Sequence, residues 1–136
     1  MEALRSEVER NLELAGAAKR LVDRERDMLQ AEPQDRAVFH RFHTAAWDSV
    51  VNRGGVAELG EAGKPVADCY MQLEEVNQLL DWFDRRGNRV AYIPLVSGSL
   101  DGYGRKEVIE VLREKFDEAE VVLRDARRAL DESPDL

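Results

Sequence analysis

The chain has 136 residues, 43% hydrophobic and 35% charged, which suits one globular domain with a sizeable core and excludes disorder. Its 20 basic and 28 acidic residues give a formal net charge of −8, a sign that repels phosphate backbones and argues against nucleic-acid partners. A lone Cys69 excludes an intrachain disulfide, no apolar run approaches the ~20 residues of a membrane span, and MEALRSEVER is charged from its second residue, unlike a secretion signal.

The expected setting is therefore cytoplasmic, away from membranes. Lys19, Lys64, Lys106 and Lys115 are the only lysines, so the basic residues are mostly arginine. Acid excess with little lysine suits a salt-adapted, halophilic source; a GC-rich genome alone would also favour arginine.

Residues 3 to about 30 read as one long helix. Leu4, Val8, Asn11, Ala15, Ala18, Val22, Glu25 and Leu29 follow the 4-3 spacing of a coiled-coil-like seam. Asn11 and Glu25 interrupt it: each either lies wet at the margin or, in the seam, fixes register or partner number. Pro33 ends this element or begins the next.

A second helix is predicted from about Gln34 to Asn52, stopped by Gly54-Gly55. It carries two neighbouring stripes, Phe39, Phe42, Ala46, Val50 and His40, His43, Trp47, Val51. Two adjacent stripes need cover from two sides, so this segment reads as the central helix of a bundle, with Trp47 in the core and His43 as its neighbour. Val56–Leu59 is too short for more than a helical turn, and Gly60–Gly63 reads as a loop.

Pro65 suits the first turn of a third helix reaching about Arg86, with Val66, Cys69, Leu73, Val76, Leu80 and Phe83 on one stripe. Tyr70 and Asn77 flank that stripe. Residues 88–103 break the pattern, and Pro94 forbids a central strand position. An irregular apolar insertion over the bundle is expected, with a short hairpin as the alternative. A final helix, about Arg105 to Asp131, carries Ile109, Leu112, Phe116, Ala119, Leu123, Ala126 and Leu130 as an unbroken seam. The tail beyond about 132 should fray.

Glu7-x-x-x-Asn11-Leu12, then Phe42-x-Thr44-x-x-Trp47 with Gly54 or Gly55 and Leu59, then Tyr70-x-x-Leu73-x-x-x-Asn77 form a set of short motifs across residues 4 to 80. Together they resemble a loosely defined set of small helical prokaryotic proteins of unknown function. In many of those a membrane helix precedes the first motif; none is expected here. The resemblance implies a helical bundle, brings no activity, and makes Glu7, Asn11, Thr44, Trp47, Tyr70 and Asn77 a shared packing and polar-contact set.

The fold expected is all-α: a single-domain antiparallel four-helix bundle of long helices, with the irregular insertion at about 88–103 before the last. No catalytic constellation is found: there is no nucleophile elbow, phosphate loop or Ser-His-Asp order. His40 and His43 have ligand-capable spacing but lack the Glu-x-x-His partners of a di-iron bundle, so neither a metal nor a cofactor is expected. Cys69, inside a clean stripe, reads as a small buried hydrophobe. Asn11 and Asn77 are expected to meet between helices one and three as an amide pair that fixes register. The leading function is a noncatalytic interaction or scaffold module, a homodimer or the partner of another helical protein. The alternative is a small-ligand or metal sensor with a pocket near His43, Trp47 and Tyr70 under the 88–103 loop.

Overall fold

The computed structural model describes residues 2–27, 39–85, 94–95, 98–99 and 105–133. The described residues form an all-α bundle with four α-helices: α1 (Glu2–Asp27), α2 (Ala45–Asn52), α3 (Gly63–Arg85) and α4 (Arg105–Asp131). A 3-10 stretch, Val56–Ala62, leads into α3 and kinks at Gly60, whose φ of 60° and ψ of −129° suit glycine.

Three of the helices are long, at 26, 23 and 27 residues, and each buries the stripe its spacing predicts. On α1 these are Leu4, Val8, Asn11, Ala15, Ala18 and Val22; on α3 they include Val66, Cys69, Leu73, Val76 and Leu80; on α4 they run from Leu112 to Leu130. The last turn of the predicted first helix at Leu29, and the side chains of Glu25, Phe83 and Ile109, lie outside the described residues.

The helix at the centre is α4, not the 39–59 segment. It packs on both α1 and α3 and runs antiparallel to each. Against α1, Arg5 Nη2 donates to the Leu130 carbonyl at 2.8 Å, Lys19 Nζ meets Asp117 at 2.9 Å and Glu120 at 3.2 Å, and Asp23 pairs with Arg113. Against α3, Gln72 Nε2 donates to Glu118 Oε2 at 3.0 Å, while Lys64, Pro65 and Asp68 line a groove with Val122, Asp125 and Ala129. The physical reason is length of seam: α4 offers buried side chains over five turns, whereas α2 has eight residues and buries only Trp47 and Val50.

The second predicted helix is corrected at its start. Residues 39–44 are not helical, and residues 34–38 lie outside the described residues. Phe39 and Phe42 fit helical spacing, yet their rings reach the same target from a non-helical chain: both meet Phe116 of α4, with centroids 5.7 and 6.2 Å away. The second stripe dissolves. His40, His43 and Val51 are exposed, and only Trp47 of the four is buried.

Between α3 and α4, β1 (Pro94–Leu95) and β2 (Gly98–Ser99) form a two-residue antiparallel ladder, pairing Pro94 with Ser99 and Leu95 with Gly98. Both strands are edges, where proline is tolerated. The rest of the 88–103 insertion lies outside the described residues.

Candidate functional site

Three polar side chains of the described bundle, Glu7, Asn11 and Asn77, converge on one target, the backbone of residues 42–47. Glu7 and Asn11 are one helical turn apart on α1, so they project from one face; Tyr70 and Asn77, two turns apart on α3, do likewise. The non-helical segment lies between these two faces and is bonded to both.

Asn77 grips Phe42. Its Oδ1 accepts the Phe42 N–H at 2.8 Å and its Nδ2 donates to the Phe42 carbonyl at 3.1 Å. Asn11 does the same to His43, with both bonds at 2.8 Å. A carboxamide has the donor and acceptor of a peptide group, so each asparagine pairs with one residue much as a neighbouring strand would. The main chain of Phe42 thus faces α3 and that of His43 faces α1, while the rings of Phe39 and Phe42 both turn to α4. The expected Asn11–Asn77 amide pair is thus replaced: the two amides meet the chain that runs between their helices. The cause is backbone demand, since a segment outside regular secondary structure must find partners for its own N–H and C=O groups.

Glu7 completes the arrangement. Its Oε2 accepts the Ala46 N–H at 2.8 Å; its Oε1 accepts the Trp47 N–H at 3.2 Å and the Tyr70 hydroxyl at 2.8 Å. Ala46 and Trp47 lie in the first turn of α2, whose N–H groups have no partner within the helix. Thr44 stands at the N-cap position but makes no side-chain capping bond; its Oγ1 reaches Asp48 Oδ2 at 3.1 Å instead. Capping therefore comes from another helix. Negative charge there also favours the positive end of the α2 dipole. Glu7 is 8% exposed, and a carboxylate so buried needs this set of donors.

Trp47 stacks on Tyr70, centroids 5.2 Å apart and planes 9° from parallel. Burial, then the hydrogen bond to Glu7, pushes the Tyr70 hydroxyl well above its ordinary pKa. Burial, with Asp125 nearby, pushes the Cys69 thiol up to about 12, so it is protonated and unreactive at neutral pH.

Of the predicted ligand residues, Trp47 and Tyr70 come together and fill each other's ring faces. His43 contributes its backbone, while its side chain is exposed. Among the described residues no group of three His, Cys, Asp or Glu side chains could hold a metal. Glu7 is marked in the sequence chiefly by the resemblance. Its available signal was an acid four residues before Asn11 on the flank of a helical seam.

No protein family, no curated protein and no solved structure matches this chain.

Proposed function

We propose that the protein is a noncatalytic helical interaction or scaffold module that associates with itself or with another helical protein. One observation carries this reading. The polar side chains buried in the described bundle, Glu7 and Asn11, are both committed to the chain's own backbone, as Asn77 is beside them. As folded, they hold residues 42–47 in place. What faces outward is charged helix surface with Val51, Met71 and Val121 exposed on three different helices.

A pocket sensor at His43, Trp47 and Tyr70 has less support, because the stacked rings occupy the space a flat ligand would use. The net charge of −8 speaks against nucleic acid as the partner, and the single cysteine favours a cytoplasmic setting. No helix among the described residues is long and apolar enough to cross a membrane. The resemblance to small helical prokaryotic proteins fits the same reading, with Glu7, Asn11, Thr44, Trp47, Tyr70 and Asn77 as positions that hold the fold.

Light scattering across a concentration series, paired with a thermal-shift screen of metals and metabolites, tests the proposal. Mass rising with concentration and no stabilising small molecule is the expected result. A constant monomer mass with one strongly stabilising ligand would overturn it.

A further inference from the structure

Residues 39–44 sit in the bundle as a bound peptide sits in a receptor. Main-chain groups of Phe42 and His43 are read by Asn77 and Asn11, and those contacts are indifferent to side-chain identity. Side-chain recognition falls on two residues, Phe39 and Phe42, buried against Phe116. The other side chains face outward or reach the rim: His40 and His43 are exposed, and Arg41 meets Asp81 on α3. The segment FHRFHT holds one arginine, two histidines and no acid, within a chain of net charge −8. Backbone clamps, two aromatic anchors and opposite charge define a ligand type.

We propose that the cleft between α1 and α3, with Phe116 in its base, is a peptide receptor whose resident occupant, residues 39–44, exchanges with a partner segment. That segment carries two aromatic side chains three positions apart and no acidic residue between them. This rests on the interaction-module reading and gives its partner a chemistry. The resident segment is tethered, so it competes at an effective concentration in the millimolar range. A free peptide of equal intrinsic fit therefore binds the wild-type chain weakly, and a chain whose anchors are removed binds it well.

The probe is a fluorophore-labelled, end-capped peptide of residues 39 to 45, titrated onto the full chain and onto the full-chain variant Phe39→Ala/Phe42→Ala. The variant should bind at least about tenfold more tightly than wild type, since its own segment no longer competes. Adding Asn77→Leu to the variant should weaken binding by at least about tenfold through loss of the main-chain clamp. Equal affinity for both chains, no saturable binding, or indifference to Asn77→Leu would overturn the proposal.

Should the double alanine variant fail to fold, hydrogen exchange on the wild-type chain decides. Millimolar peptide should speed exchange at the Phe42 and His43 amides and leave the α3 amides protected; unchanged rates at those two amides would overturn it. A chain that self-associates yet fails these tests loses the peptide cleft alone, and the interaction-module reading stands.

Discussion

Glu7 on α1 accepts the backbone N–H of Trp47, forty residues further along the chain, and so caps a helix to which it does not belong. The same oxygen takes the Tyr70 hydroxyl, which makes one carboxylate the meeting point of α1, α2 and α3. Helix caps are usually local; this one ties three elements together.

Glu7→Gln should destabilise the chain by about 2–3 kcal/mol, because a buried donor then faces another donor and part of the α2 cap is lost. Tyr70→Phe should cost about 1 kcal/mol, since Glu7 Oε1 still holds the Trp47 N–H. In a double-mutant cycle the two should couple measurably. Urea unfolding monitored by circular dichroism gives the numbers. Additive losses would show that the carboxylate and hydroxyl act independently.

Asn11→Leu and Asn77→Leu each strand a backbone N–H and C=O, and each should cost about 2–3 kcal/mol. Asn11→Leu should also raise hydrogen exchange at His43, and Asn77→Leu at Phe42, while the neighbouring amide changes less. Asn11→Asp keeps the acceptor for the His43 N–H but loses the donor to its carbonyl. It should therefore protect the His43 amide better than the leucine variant does.

Phe116 receives both Phe39 and Phe42, and is itself fully buried. Phe116→Ala should cost about 3–5 kcal/mol and loosen the 39–44 segment along with α4. Phe116→Leu, which keeps most of the volume, should cost less than half as much. Chemical denaturation of the two variants side by side checks the ratio.

Alkaline stability follows from Cys69 and Tyr70. Burial moves the Cys69 thiol from 9.0 to about 12, and burial with the Glu7 contact moves the Tyr70 hydroxyl upward from 10.0. Both groups keep their protons to higher pH in the folded state than in the unfolded chain. Their stabilisation is complete below pH 9 and is lost as pH climbs from there toward 12. Cys69→Ala should flatten the start of that decline in a plot of urea midpoint against pH. At pH 8 a thiol reagent should label Cys69 only as fast as the bundle opens.

On the acid side, hydrogen bonding to Lys19 holds the Asp117 carboxyl below its ordinary 3.8. Its contribution is present above that value and fades as pH falls through the lowered one. Asp117 is half exposed, so Lys19→Ala should cost no more than about 1 kcal/mol, less in high salt. A salt titration of the variant's melting temperature measures it.

The three long helices were legible because each repeats its apolar residues every three or four positions over many turns. The run from Leu112 to Leu130 could bury itself in no other way. The role of Asn11 and Asn77 was legible by half: amides at the edge of a helical core must be bonded, but nothing in their spacing says to what. Phe39 and Phe42 misled, because three-residue spacing is helical only when the backbone closes its own hydrogen bonds.

Sequence by itself determined the all-α class, the stripes of α1, α3 and α4 and the buried, inert state of Cys69, since each depends on local periodicity and side-chain size. Tertiary structure decided that residues 39–44 leave the helix, that α4 lies at the centre, and that Glu7 caps α2. Those outcomes depend on which distant groups can satisfy a backbone N–H once water is gone, and that balance is struck only when helices from opposite ends of the chain have met.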